Sequence, residues 1–144
     1  MSFESRKGKK LNIAITSDFF YPNLGGVEIH MISLAYCLME RGHKVIVLTR
    51  SYEERTGVRY LPNGIKCYYM PTQKIPGSNV MIPLGLVCDL MPLVRNICIR
   101  ESIDVIHIHQ ASAVIGINIT ILNQALNIPI IRTDHSLHEL DNPI

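Results

Sequence analysis

The sequence has four cysteines, and no two of them have the C-x-x-C spacing. Each lies inside an apolar segment, so neither a zinc site built from cysteines nor a disulfide framework is indicated. Small apolar side chains of this kind are typical of the core of a protein from a reducing compartment. We therefore expect buried, unpaired thiols at Cys37, Cys67, Cys88 and Cys98.

Excess charge and nucleotide-binding motifs are also lacking. The formal net charge is only +2, which gives no case for a nucleic-acid partner. The chain has no G-x-G-x-x-G fingerprint, no Walker loop and no G-x-S-x-G elbow, so dinucleotide, P-loop and serine-hydrolase chemistry are unsupported. A content of 47% hydrophobic residues among 144 instead predicts one folded domain with an apolar core.

No apolar run is both long and uninterrupted enough to predict a membrane-spanning helix. Residues 80–99 come nearest, but Pro83, Asp89, Pro92 and Arg95 interrupt them. Two interpretations of this segment stay open: a helix packed on a sheet, or an interfacial segment with one apolar face in a lipid leaflet.

The first ten residues are polar and include the basic cluster Arg-Lys-Gly-Lys-Lys at positions 6–10. The apolar run that follows is too short for a signal peptide, so we expect none. We interpret residues 1–10 as a flexible, solvated tail, and contact with anionic lipid headgroups is the alternative.

The chain is organised around a glycine-containing loop at residues 17–28. A strand pattern at residues 11–16 precedes it, and apolar residues at helical spacing follow it as far as Arg41 and Gly42. A helix N-terminus carries unpaired N–H groups and the positive end of the helix dipole, so it binds anions. Gly25 and Gly26 are therefore candidates for contact with a phosphate or carboxylate, although a glycine pair also occurs in plain turns.

Strand and helix patterns alternate along the rest of the chain, which predicts an α/β fold with a doubly wound parallel sheet. Residues 50–60 and 73–79 are expected to be loops. Further strands are expected at residues 44–49, 65–70, 104–109 and 127–132, and helices at residues 80–100 and 113–126.

Polar residues lie at or just beyond the carboxyl ends of three predicted strands, the edge where open α/β sheets bind ligands. One histidine at a strand end is commonly a structural hydrogen bonder. Two histidines with several carboxylates favour a binding or catalytic site instead. The candidates are Asp18, Glu28, His109, Asp134 and His135.

A metal site is the weaker interpretation of these histidines. His107, His109 and His135 supply nitrogen ligands, but no acidic residue completes a clear set, so we expect no metal. His30 and His43 are interpreted as surface or helix-end residues without a role.

Five stretches together resemble a known family of glycosyltransferases. Gly-Gly-Val-Glu at 25–28 and Glu-Arg-Gly-His-Lys-Val at 40–45 are similar to segments common among retaining glycosyltransferases with two Rossmann-like domains. The other three are Ser-Asp-Phe-Phe-Tyr-Pro-Asn at 17–23, Ile-His-Ile-His at 106–109 and Thr-Asp-His-Ser-Leu at 133–137. With them, residues 11–137 resemble the catalytic subunits of phosphatidylinositol N-acetylglucosaminyltransferase.

The resemblance implies that residues 11–144 form the acceptor-side domain, the N-terminal Rossmann-like half of a GT-B architecture. The family transfers N-acetylglucosamine from UDP-GlcNAc to phosphatidylinositol, the first step of GPI-anchor biosynthesis, on the cytoplasmic face of the endoplasmic reticulum. It retains the anomeric configuration and uses neither a metal nor any cofactor besides the donor substrate. The implied partners are phosphatidylinositol, UDP-GlcNAc, the membrane surface and the other subunits of the transferase complex.

The resemblance also implies roles for single residues. His135 would be the catalytic residue beside the transferred sugar, and Gly25 and Gly26 would face the donor diphosphate. Glu28 and Asp18 would contact the acceptor. His109 and Asp134 would support the crevice.

The family's C-terminal donor domain, with its pair of acidic residues and its membrane anchor, is absent from this sequence. Because one wall of a crevice cannot position donor against acceptor, we expect the polypeptide alone to be inactive. Two alternatives remain: a non-catalytic module that binds phosphatidylinositol membranes or other subunits, and a free-standing α/β domain with its own small-molecule ligand.

Overall fold

The computed structural model describes residues 8–74, 81–83, 90–110 and 114–135. Strands and helices alternate along these residues, as the sequence pattern predicts. In chain order the elements are β1 (Asn12–Thr16), α1 (Gly26–Glu40), β2 (Lys44–Arg50), β3 (Gly57–Tyr60), β4 (Lys66–Met70), β5 (Thr72–Lys74), β6 (Met81–Pro83), α2 (Leu90–Glu101), β7 (Val105–His109), α3 (Val114–Leu126) and β8 (Ile130–Thr133).

Six strands form one sheet in the order β3-β4-β2-β1-β7-β8. Five of them are parallel, and β3 pairs antiparallel with β4 at the sheet edge. β5 and β6 pair antiparallel in a separate two-stranded sheet. The predicted α/β fold is confirmed, with the correction that the main sheet is mixed.

Helices cover the main sheet on both faces, because the inner strands alternate apolar side chains between two cores. In β1, Ile13 and Ile15 join a core that includes Met31 and Ala35 of α1. Ala14 faces the opposite core, which contains buried residues of α2 and α3. A strand buried on both faces has a nearly continuous apolar sequence, which is why β1, β2 and β4 were predictable.

Three loop and helix predictions are wrong in part. Residues 57–60 of the predicted loop form β3, whose four residues are all exposed and therefore give no burial pattern. Residues 72–74 form β5, in part of the second predicted loop. In the predicted helix at 80–100, residues 81–83 form β6 and α2 begins at Leu90. Pro92 lies in the first turn of α2, where proline is tolerated, so it marks the start of the helix rather than an interruption.

The cysteine prediction is confirmed at two of the three described positions. Cys67 and Cys98 are buried, and this burial raises the pKa of their thiols to about 12 and about 11. Cys37 is exposed, contrary to expectation, because it lies on the solvent side of α1. Cys88 lies outside the described residues.

Most of the predicted tail, residues 1–7, lies outside the described residues. Lys9 and Lys10 are exposed, and both contact the folded body, through Asp104 and the carbonyl oxygen of Arg41. None of the helices that the structure describes combines the length and apolar character required to cross a bilayer.

A buried carboxylate joins the amino edge of the sheet to α2. Glu101, the last residue of α2, is 4% exposed, and its two carboxylate oxygens lie 2.7 Å from Lys44 Nζ and 2.5 Å from Lys66 Nζ. The Tyr68 hydroxyl donates a further hydrogen bond to Glu101. Burial opposes ionisation of Glu101, but these three donors outweigh it and lower its pKa to about 2. The group therefore stays charged and links β2, β4 and α2.

We expect Gly116→Ala to destabilise the fold by about 1–2 kcal/mol. A Cβ at position 116 would lie 2.7 Å from Cγ2 of Ile108, a buried β-branched side chain with little freedom to move. This clash outweighs the gain in helix propensity, which is at most about 1 kcal/mol. Urea unfolding measures the change, and Gly26→Ala is the matched control because a Cβ there meets open space. Equal stability of the two variants would contradict the proposed close contact between α3 and β7.

Candidate functional site

The carboxyl ends of β1, β7 and β8 lie side by side and define the candidate site. The strand register pairs Thr16 with Ile108, and His109 with Thr133. The segments that follow these strands therefore start from the same edge of the sheet. This arrangement brings predicted site residues from positions far apart in the sequence to one place.

Four histidines meet at this edge, and we call His30, His107, His109 and His135 the histidine cluster. His109 Nδ1 lies 2.9 Å from His135 Nε2, within hydrogen-bond distance, and the two rings are stacked with centroids 5.2 Å apart. The ring of His107 is 4.3 Å from that of His109. His109 and His135 thus come together as the sequence predicted.

Burial keeps the centre of the histidine cluster uncharged. The His109 ring is fully buried, and desolvation, with smaller contributions from His107, His135 and His30, lowers its pKa to about 3. Desolvation likewise lowers the pKa of His107, whose Nε2 lies 2.8 Å from the Thr133 hydroxyl. Near pH 7 these rings therefore act as neutral hydrogen-bonding groups rather than as cations.

His30 is the member of the histidine cluster that sequence reasoning missed. Its ring centroid lies 5.5 Å from that of His109 and 5.2 Å from that of His135. His30 is four residues after Gly26, so it lies on the helix face that begins at the glycine turn. This four-residue spacing from Gly26 could have placed His30 near the site, but an exposed histidine on a helix does not by itself indicate a functional role.

Asp18 holds the loop after β1 against the start of α3. Its carboxylate oxygens accept hydrogen bonds from the backbone N–H groups of Val114 at 2.7 Å and Ile115 at 2.9 Å. Burial raises the pKa of Asp18, opposed by these two bonds and by the charge of Arg50. The carboxylate thus satisfies N–H groups at a helix start, a use that its position after a strand did not reveal.

The glycine turn lies at the N-terminus of α1, as predicted. Gly25 is the N-cap, and its N–H donates to Glu28 Oε2 at 3.0 Å. A Cβ at position 25 would lie 2.7 Å from that oxygen, whereas a Cβ at Gly26 would meet no atom of the described residues within 4 Å. Gly26 therefore presents open backbone, while Gly25 is occupied by the chain's own carboxylate.

Aromatic and arginine side chains support the loop between β1 and α1. The Tyr52 hydroxyl accepts a hydrogen bond from the backbone N–H of Phe20 at 2.8 Å, and the Tyr69 hydroxyl donates to the Tyr21 carbonyl at 2.8 Å. The Arg50 guanidinium lies 4.8 Å from the centroid of the Tyr52 ring. These contacts are not predictable from the sequence, because Arg50, Tyr52 and Tyr69 share no motif with the loop that they support.

The remaining predicted site residue, Asp134, precedes His135 and is exposed.

A separate cavity of about 460 Å³ lies between α2 and the edge strands β3 and β4, lined in part by Tyr68, Leu93, Ile97 and Arg100. None of the predicted site residues lines this cavity, so the candidate site is the open carboxyl edge of the sheet.

The fold defines the structural class. It is similar to sucrose-phosphate synthase from Thermosynechococcus elongatus, with a TM-score of 0.68 and 20% identity over 91% of this chain and 34% of that one. A likeness at this level of identity concerns the fold alone. The class is a Rossmann-like α/β domain, with a mixed six-stranded sheet flanked by helices.

Sequence comparison defines the family. The PIGA family model, described as GPI anchor biosynthesis, matches residues 50–142. A human phosphatidylinositol N-acetylglucosaminyltransferase subunit is 40% identical over 126 residues, 88% of this chain and 25% of the human protein. The GPI3 subunit from Saccharomyces cerevisiae strain YJM789 is 37% identical over 131 residues, 91% of this chain and 28% of the yeast protein. This chain belongs to the PIGA family and spans about a quarter of the length of these relatives.

Proposed function

We propose that this chain forms the acceptor-side part of an active site that transfers N-acetylglucosamine from UDP-GlcNAc to phosphatidylinositol, with retention of configuration. The observation that carries the proposal is the contact between His109 and His135 at the carboxyl edge of the sheet, in a member of the PIGA family. The related proteins are named as subunits of the phosphatidylinositol N-acetylglucosaminyltransferase. The reaction would be the first step of GPI-anchor biosynthesis.

In this proposal the start of α1 faces the donor. Backbone N–H groups at a helix start stabilise negative charge, and such charge develops on the diphosphate as it leaves the sugar. The open backbone at Gly26 allows close approach of the diphosphate, and Gly25 lies beside it. No metal is needed for this step, because the helix terminus supplies the positive potential.

His135 is proposed as the catalytic residue, with a hydrogen bond to the transferred sugar. His109 is proposed to support it, because the buried ring lies 2.9 Å from one His135 nitrogen and so fixes the orientation of the His135 ring. Asp134 is proposed to support the same segment. An imidazole that is held at one ring nitrogen still offers the other nitrogen for a hydrogen bond to the sugar.

Glu28 and Asp18 are the proposed acceptor contacts. Each carboxylate already accepts backbone hydrogen bonds, but a carboxylate has about four acceptor sites, and the others can accept from the hydroxyl groups of inositol. The acceptor is a membrane lipid, so the site would work at a membrane surface, which we propose to be the cytoplasmic face of the endoplasmic reticulum. The word subunit in the names of the relatives supports assembly with the other chains of a transferase complex.

A chimera tests the proposed function. In cells lacking the endogenous PIGA-family protein, residues of this chain replace the matching quarter of the human relative, and transfer of N-acetylglucosamine to phosphatidylinositol is measured in microsomes. The chain by itself is expressed in parallel. Restored transfer by the chimera is expected. An expressed and folded chimera without transfer would contradict the proposal and favour a module that only binds membranes or other subunits.

Gly26→Ala in the same chimera is expected to reduce transfer by about tenfold or more while the fold is retained. The added methyl group meets no atom within 4 Å among the residues that the structure describes, but it would obstruct a ligand that approaches the backbone closely. Gly8→Ala is the matched control, since a Cβ at position 8 also meets no atom within 4 Å and lies outside the candidate site. Unchanged transfer with Gly26→Ala would show that the donor does not approach this turn closely.

A further inference from the structure

We propose that His30, His109 and His135 form a binding site for a single Zn²⁺ ion at the carboxyl edge of the sheet. Each of the three rings offers one nitrogen, and these three nitrogen atoms all lie within 4.8 Å of one another. Three converging imidazoles make up the donor set that Zn²⁺ accepts in sites with one open position. Mg²⁺ and Ca²⁺ prefer oxygen ligands and do not fit this set.

The distances between the rings suit such an ion. Two nitrogens bound to Zn²⁺ at about 2.0–2.1 Å in a tetrahedral arrangement are about 3.3 Å apart. His109 Nδ1 and His135 Nε2 are 2.9 Å apart, so this pair is already near the required spacing. His30 is exposed on α1, and a shift of its ring by about 1.5 Å completes the set.

The hydrogen bonding of His109 is incomplete without a ligand. Its Nε2 is buried and has no hydrogen-bond partner among the described residues. An unpaired polar atom in the core is costly, so the present orientation of the His109 ring is weakly held and the ring can turn to bind an ion through Nδ1.

His107, the fourth member of the histidine cluster, is not part of the proposed metal site. His107 Nε2 lies 2.8 Å from the Thr133 hydroxyl, so that ring has a protein partner. The set assigned here therefore differs from the one considered from sequence, since His30 replaces His107. Two of its members are exposed, which lets the ion enter from solvent, and the fourth position is left for water.

Metal titration of the purified, folded chain tests the site. Zn²⁺ binding is followed by calorimetry, and Co²⁺ is used as a spectroscopic probe because tetrahedral Co²⁺ has visible d–d absorption. We expect one equivalent of each metal and no thiolate-to-metal charge transfer. Absence of saturable binding would overturn the proposal, and so would an unchanged Zn²⁺ affinity in His30→Ala.

The variants separate this site from other metal-binding groups. His30→Ala is expected to weaken Zn²⁺ binding by at least tenfold with an unchanged circular dichroism spectrum, because the side chain is exposed. His43→Asn and Cys37→Ser are the controls. His43 lies at the opposite end of the sheet, where its Nδ1 accepts a hydrogen bond from Leu11, and Cys37 is an exposed thiol. An equal loss of binding in either control would assign the metal to that residue instead.

A second measurement rests on the proposed function. Zn²⁺ on His135 would remove that ring from the sugar site, so we expect micromolar-range inhibition of the chimera by Zn²⁺, with a higher concentration required for His30→Ala. Binding in the titration without inhibition of transfer would retain the metal site and contradict the role of His135. Failure of the titration alone would contradict the metal site and leave the proposed transfer untouched.

Discussion

Replacement of His135 by alanine in the chimera is expected to reduce transfer of N-acetylglucosamine by on the order of 10²- to 10³-fold. Loss of one oriented hydrogen-bonding group at a reaction centre has an effect of this size, because the lost interaction acts where charge changes in the transition state. The measurement is the rate of N-acetylglucosaminyl-phosphatidylinositol formation at saturating UDP-GlcNAc.

The structure supplies a sharp comparison for this experiment. His43→Asn alters a histidine at the opposite end of the sheet and should leave the rate within a factor of two. His135 is exposed, so its truncation should not unfold the protein, and urea unfolding verifies this. A folded His135→Ala chimera with the rate of the parent would remove His135 from the catalytic site.

Glu101→Gln is expected to lower the free energy of unfolding by about 3 kcal/mol near neutral pH. The substitution removes the charge that pairs with Lys44 and Lys66 and leaves both ammonium groups near a neutral amide. Glu40→Gln is a well-matched control, because Glu40 is also the last residue of a helix but is exposed. The control should change stability by less than about 0.5 kcal/mol in urea unfolding. Equal effects in both variants would mean that the Glu101 contacts contribute little.

The pH dependence of the free energy of unfolding tests the Glu101 ion pairs a second time. Glu101 has a pKa of about 2 in the folded protein against an ordinary value of 4.5, a difference that corresponds to about 3 kcal/mol. This contribution is fully present above about pH 4.5. It is lost as the pH falls from 4.5 towards 2, because the unfolded chain takes up the proton first. The slope of stability over this interval should therefore be shallower in Glu101→Gln than in the parent, and a parallel slope would contradict the assigned ion pairs.

The fold was predictable where burial leaves a pattern in the sequence. β1, β2 and β4 are buried on both faces and are apolar throughout, and α1 ends where glycine follows it. Gly42 has φ +83, a conformation that glycine adopts without strain. β3 was missed because an exposed edge strand is specified by its hydrogen bonds to β4, which leave no trace in side-chain periodicity.

The candidate site was predictable to the extent that topology determines it. In a parallel sheet the carboxyl ends of neighbouring strands share one edge, so His109 and His135 could be placed together from strand assignments alone. The contact of His30 depends on the rotation of α1 about its axis. The use of Asp18 as a cap depends on where α3 starts. Both are consequences of packing, which a single sequence does not specify.

The carboxylate of Glu28 competes with any bound anion for the N–H group of Gly25 in the glycine turn. An anion that is to use the Gly25 N–H must first displace Glu28, and hydrogen bonds to charged acceptors are each worth about 1.5–3 kcal/mol, so the net gain from the exchange is small. We therefore expect this turn to hold an exogenous anion only weakly through the Gly25 N–H. If the proposed function holds and a nucleoside diphosphate leaves this turn in every cycle, the Glu28 carboxylate can return to the Gly25 N–H as the product departs.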